Sequence, residues 1–261
     1  MNKRTLTELA ANPDLISGIY NYCDRWCERC QFTSRCLLYA TEQEDTDDSP
    51  ESRDIENKAF WEKLGRIFQE TQEMLTEWAE EAGVDLTQFD EETEKTHERR
   101  REAASRHRLA TAGKKYASDV TEWFKECLET PTACDLPPDQ QDFEQSDQFE
   151  DASEVIHWYQ YQIAVKSMRA LSSRSNEVEE TDPELASYPK DSDGSAKVAL
   201  VGIDRSISAW RLMQFAVPER SESIVPLILQ LERLRQREEK EFPNARAFIR
   251  PGFDEVLGEP N

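Results

Sequence analysis

The chain has 261 residues, enough to bury a core without crosslinks, and carries 54 Asp and Glu against 32 Lys and Arg, a formal charge of −22. That balance repels nucleic-acid phosphates and anionic membrane surfaces, and so argues against general DNA or RNA binding. With 8 Gly and a hydrophobic fraction of 37%, the composition fits long solvated helices rather than a β sandwich with many Gly-rich turns.

The expected fold is all-α: a helical bundle of four to five main helices preceded by an N-terminal four-cysteine helix-turn segment. No apolar run of about 7–15 residues follows Met1 to Leu6, and no stretch approaches the roughly 20 apolar residues of a membrane span. A cytoplasmic location is therefore expected, and in a reducing cytosol clustered thiols serve as metal ligands more often than as disulfides.

Residues 5–30 read as one helix, or as two joined near Asn12-Pro13-Asp14, since Pro is tolerated in a first turn and Asp can cap one. Thr41 to Arg53 is acidic and lacks core-forming residues, which marks a linker. From Asp54 to Ala82, Phe60, Leu64, Ile67, Phe68, Leu75, Trp78 and Ala82 recur at three and four, which defines one buried stripe, and Gly83 supplies a stop. A second helix is read from about Glu91 to Leu128, charged in its first half and striped from Leu109 through Tyr116, Val120, Phe124 and Cys127.

Residues 149–171 and Ala196 to Val217 are apolar on two sides and belong in the middle of a bundle. Ser221 and Ser223 are candidate caps for a last helix carrying Ile224, Leu227, Ile228, Leu231 and Leu234. The organisation expected is a segment 1–40, an acidic linker 41–53, a bundle 54–245 with flexible loops at about 130–148 and 172–195, and a tail 246–261 docking on the bundle.

The sharpest chemical signal is Cys23-x3-Cys27-x2-Cys30-x5-Cys36. On a helix Cys23, Cys27 and Cys30 stand at i, i+4 and i+7 on one face, with Cys36 returning from the following turn. Four thiolates meet the ligand requirement of a tetrahedral zinc and equally that of a cubane cluster. Disulfides and inert core thiols are the remaining readings. Arg25, Arg29 and Arg35 interleave the ligands and would offset thiolate charge. Cys127 and Cys134 read as packing residues rather than as a functional pair.

Within that segment Cys27 to Cys36 resembles the Cys-x2-Cys-x-aromatic-x3-Cys stretch of the [4Fe–4S] staple in RecB-like nucleases of the AddB and CRISPR-associated types. It shares its x2 and x5 spacings with the cluster loop of endonuclease III-type glycosylases. The resemblance implies a [4Fe–4S] cluster on Cys23, Cys27, Cys30 and Cys36, with zinc as the alternative. It covers ten residues, and Gln31 stands where those families often have Pro. Neither a β-rich nuclease core nor a helix-hairpin-helix accompanies it, so neither activity follows. The triplet Cys23, Cys27 and Cys30 also fits the radical S-adenosylmethionine spacing, but the chain lacks that family's alternating strands and helices.

Two Glu-x-x-His pairs occur, and such pairs hold di-iron centres in ferritin-like bundles. Glu94 and His97 fall in a charged, solvated half-helix. Glu154 and His157 sit on a two-faced helix, and with Asp204 on the other such helix they are read first as a hydrogen-bonded pairing within a helix interface and second as a candidate metal site. Arg246 and Arg250 in the tail are available to an anion. No phosphate loop, nucleophile elbow or zinc-protease motif occurs. The expected function is a cysteine-ligated metal protein acting as an interaction or regulatory module with a protein partner or as a homodimer. The competing expectation is a redox enzyme whose cluster serves chemistry near Glu154, His157 and Asp204.

Overall fold

A computed structural model describes residues 8–43, 49–86, 91–129, 143–179 and 189–255. Its α-helices are α1 (Leu37–Gln43), α2 (Pro50–Arg53), α3 (Lys58–Ala82), α4 (Glu91–Arg106), α5 (Arg108–Glu129), α6 (Phe143–Glu179), α7 (Asp191–Ala216) and α8 (Ser221–Glu241), with short 3-10 turns between several of them. The all-α class holds. The expectation of four to five main helices gives way to this longer series, and no four-cysteine metal segment precedes it among the described residues. The chain forms two compact units, one of Met1–Asn21, Arg25–Glu94 and Pro251–Asn261, the other of Tyr22–Asp24 and Lys95–Arg250.

The second unit is an up-down four-helix bundle. Each of α5 to α8 packs on its chain neighbours, and α5 packs on α8 to close the ring. Antiparallel register shows in the paired contacts: Trp123 Nε1 donates to Ser223 Oγ at 2.9 Å near one end, and Arg108 reaches Glu241 at 3.2 Å near the other. Leu109, Tyr116, Val120, Ile156, Tyr159, Ile163, Leu200, Ile203, Trp210, Met213, Ile224 and Leu231 fill the centre. Trp210 Nε1 donates to the Tyr116 hydroxyl at 2.9 Å, which satisfies two polar groups inside an apolar layer.

Two boundaries differ from the periodicity for identifiable reasons. The expected helix from Glu91 to Leu128 breaks at His107, whose Nδ1 accepts from Leu109 N at 3.3 Å and serves as a cap for α5. The expected flexible stretch 172–195 is helical at both ends, because α6 runs to Glu179 and α7 starts at Asp191. Side chains from α6 hold that start. Glu177 accepts from Ser192 N at 2.9 Å and from Ser192 Oγ at 2.6 Å, while Asp191 takes bonds from Arg169 at 3.0 Å and Ser173 at 2.6 Å. Tertiary capping of this kind leaves no mark in the local sequence. The loop expected at about 130–148 falls outside the described residues up to 142, and α6 is under way at Phe143.

In the first unit the N-terminal stretch does not form the long helix expected over 5–30. Asn12 Oδ1 accepts from Asp14 N at 3.0 Å, and single 3-10 turns follow at Ile19–Asn21, Cys27–Arg29 and Thr33–Arg35. Ile16 N donates to the Arg35 carbonyl at 2.9 Å, and Phe253 meets Phe32 edge-on at 5.1 Å, so a small core forms around buried Ile19. In place of part of the acidic linker 41–53, Ser49 Oγ accepts from Ser52 N at 3.3 Å and opens α2; residues 44–48 lie outside the described residues. Helix α3 ends as its sequence implies, at Gly83 with φ +68, whose N–H bonds back into the last turn.

Candidate functional site

The most elaborate polar arrangement of the bundle unit lies between α6 and α7 and holds the segment Tyr22-Cys23-Asp24. From α6, Trp158 Nε1 donates to the Asp24 carbonyl at 2.9 Å, Gln162 Nε2 donates to the same oxygen, and Lys166 Nζ donates to the Cys23 carbonyl at 3.2 Å. These three positions, four apart, form one row along the helix. The Asp24 carboxylate accepts from the Tyr159 hydroxyl and from Arg205 Nη1 on α7 at 2.7 Å. Arg205 also lies over the Tyr159 ring, 5.7 Å from its centroid. Burial, with the Asp24 bond and charge, pushes the Tyr159 hydroxyl well above the usual phenol range, so it stays a donor.

Tyr22 fills the upper end of this groove. Its ring meets Phe248 edge-on at 4.7 Å and lies so close to α7 that a Cβ on Gly194 would stand 2.4 Å from its Cε1. Only glycine fits there. Its hydroxyl bonds the Asp191 carboxylate, and burial followed by that charge pushes its pKa up to about 12. Buried Gln162 Oε1 has no hydrogen-bond partner.

The cysteine expectation is corrected here. Cys23, Cys27, Cys30 and Cys36 are thiols outside any disulfide, but among the described residues no group of three or more His, Cys, Asp or Glu is placed to hold a metal. The helix that would have aligned them is absent. Cys27 opens a single 3-10 turn, Cys30 and Cys36 are extended at ψ 126 and ψ 117, and Arg25 turns the chain through the left-handed region at φ 59. Cys30 Sγ instead accepts from Phe32 N at 3.4 Å. Neither the [4Fe–4S] cluster nor zinc is supported, and the resemblance to cluster-bearing nucleases and glycosylases does not carry beyond its spacing. The metal-protein and redox-enzyme readings fall with it. Cys127, expected as a packing residue, is buried on α5, and Cys134 lies outside the described residues.

No family model matches the chain, and neither curated proteins nor solved structures show a match. Glu154 and His157 are exposed on α6, where His157 Nδ1 lies 2.8 Å from the Ser153 carbonyl and the ring rests on Phe124 with centroids 4.0 Å apart. Asp204 does not complete a metal site with them; it pairs with Arg246 at 2.5 Å and Arg235 at 3.5 Å. Arg246 also binds Glu239 at 2.8 Å, so the tail arginine belongs to an internal network.

Two features were not anticipated. Glu238 on α8 is fully buried; its Oε2 accepts from Ser167 Oγ at 3.0 Å, and its Oε1 has no partner. Burial pushes its pKa up to about 8, against the Ser167 bond. Beside it, Glu241 takes bonds from Arg174 at 2.9 Å and Arg108 at 3.2 Å. The other feature is the apolar stripe of α3, which is largely uncovered. Phe68 is 65% exposed, Trp78 56%, Trp61 55%, Leu75 49% and Ile67 45%, and Ala79 alone among the helix's residues is buried. No described helix is long and apolar enough to cross a membrane.

Proposed function

We propose that the protein is a helical interaction module that engages another protein through the apolar stripe of α3. The observation that carries this reading is the exposure of Ile67, Phe68, Leu75 and Trp78 along one face of a regular helix. Isolated exposed apolar residues are ordinary, whereas a contiguous stripe on one helix marks a binding surface. Its spacing suits insertion into a groove, where Phe68 and Leu75 would each contribute about 1.5–3 kcal/mol on full burial.

Charge selects the occupant. Between Ile67 and Ala82 the helix carries five Glu and neither Lys nor Arg, on a chain of net charge −22. A groove rimmed by Lys and Arg complements that surface, while a second copy would bring two acidic surfaces together. Titration of the full chain with a synthetic amphipathic Leu/Lys helix tests the reading against a Leu/Glu helix of the same pattern and a Ser/Lys control. Saturable micromolar binding of the Leu/Lys helix alone, weakened at least tenfold by Phe68→Glu with Trp78→Glu, is expected. Equal binding of the three probes, or binding indifferent to the substitutions, overturns it. So does a stable dimer in sedimentation that those substitutions dissolve, since the face would then be self-complementary.

A further inference from the structure

The groove between α6 and α7 treats Tyr22-Cys23-Asp24 in the way a binding site treats a peptide. Five side chains from two helices donate to Cys23 and Asp24, and Phe248 and Asp191 hold Tyr22. Three of the five, Trp158, Gln162 and Lys166, donate to main-chain carbonyls, and two, Tyr159 and Arg205, donate to one carboxylate. Carbonyl reading by a row of donors is indifferent to the side chain between the anchors. Specificity lies at the two ends, in the ring slot that Gly194 leaves beside Phe248 and in the charged pair that takes Asp24.

Two further observations separate this from ordinary packing within a domain. The three residues are the only part of the first 94 that belongs to the bundle unit, and chain of the other unit flanks them on both sides. On the far side of Asp24 the chain passes at once through the left-handed conformation of Arg25, at φ 59, a conformation that side-chain-bearing residues adopt at a cost. The segment also leaves the groove unsaturated, because buried Gln162 Oε1 accepts nothing while Nε2 of the same amide holds Asp24. A ligand with an N–H at that point would satisfy it.

We propose that the α6–α7 groove is a recognition site for an extended peptide of the form Tyr-x-Asp, and that Tyr22-Cys23-Asp24 occupies it in cis. A partner's segment then binds by displacing the chain's own. The tether gives the internal segment an effective concentration on the order of millimolar, so the intact protein resists competitors that the vacated groove accepts. This site is separate from the α3 face and stands or falls independently of it.

The test uses the full chain and a fluorescein-labelled peptide copying residues 19–26, with serine in place of Cys23. Fluorescence anisotropy should show saturable binding to the Tyr22→Ala, Asp24→Ala variant and at least tenfold weaker binding to the wild-type chain. Adding Arg205→Ala to the variant, or asparagine for aspartate in the peptide, should weaken binding at least tenfold. Circular dichroism establishes that each variant keeps the helical content of the wild-type chain. Where the double variant does not, Asp24→Asn, which preserves shape, takes its place under the same criteria. A folded, vacated variant that gives no saturable binding overturns the proposal and makes the contact a fixed part of the fold. Binding that ignores Arg205 overturns it as well.

Discussion

Glu238 has a full charge's worth of desolvation and a single neutral hydrogen bond, from Ser167, to set against it. The group therefore keeps its proton in the folded bundle at neutral pH, with Arg174 and the paired Glu241 as its charged neighbours. Unfolded, the carboxyl titrates near 4.5 and folded near about 8, so between those values the folded state holds a proton that the unfolded state has released. Its contribution to stability is fully present below pH 4.5 and is lost as pH rises toward about 8, by an amount on the order of a few kcal/mol. Replacing Glu238 by Gln removes this titration. Thermal unfolding between about pH 5 and pH 9 should show the variant and wild type alike at the acid end, with the variant several degrees higher in Tm at the alkaline end. Parallel curves would mean that Glu238 is ionised in the folded protein. The sequence marks this burial only through register: Glu238 continues the series Ile224, Leu227, Leu231 and Leu234 at spacings of three and four, while its charge and that of Arg237 and Glu239 make the turn read as solvated. Asp24 leaves no local mark, since Trp158, Tyr159, Gln162 and Arg205, which bond it, lie 134 to 181 residues away.

Among the helices, periodicity reports best where a stripe meets another stripe. Leu109, Tyr116 and Val120 on α5 and Ile224, Leu227 and Leu231 on α8 are buried as their spacing implies. It misleads where the partner is missing. The stripe of α3 is as regular as that of α5, yet its large side chains face solvent, because amphipathicity states that a face is apolar and not that anything covers it. The two-faced reading of 149–171 and of Ala196 to Val217 goes too far: Ile156, Tyr159, Ile163, Ile203 and Trp210 are buried, whereas Tyr161, Val165, Leu212 and Phe215 on the opposite faces are exposed. The cysteine segment departs furthest from its spacing. The i, i+4, i+7 spacing is informative only on an α-helix, and single 3-10 turns and extended residues send the thiols elsewhere. For α3 the consequence is measurable. Phe68→Glu with Trp78→Glu should leave the urea midpoint within the scatter of surface substitutions, about 0.5 kcal/mol. A loss of several kcal/mol would show that another part of the chain covers the face.

For the molecule as a whole, the charge of −22 sets a background against which every local contact works. Networks such as Arg174–Glu241–Arg108 and Asp204–Arg246–Glu239 use basic residues to tie elements together, and many carboxylates repel one another across the rest of the surface. Raising ionic strength from about 0.02 M to 0.5 M shortens the Debye length several-fold and should move the urea midpoint upward. A fall would mean that the ion pairs outweigh the repulsion. The division into two units was not readable from composition, because the tail splits between them: Phe248 closes against Tyr22 while Phe253 packs on Phe32.

The start of α7 depends on the end of α6. Lys190 provides no side-chain cap, so the first turn of α7 has its Ser192 N–H satisfied by Glu177 of the preceding helix. A helix start without a local cap has little to offset the cost of nucleation by itself. The two arms of this hairpin are therefore coupled: fraying of α6 back past Glu177 strips Ser192 of its partner and loosens the first turn of α7 with it.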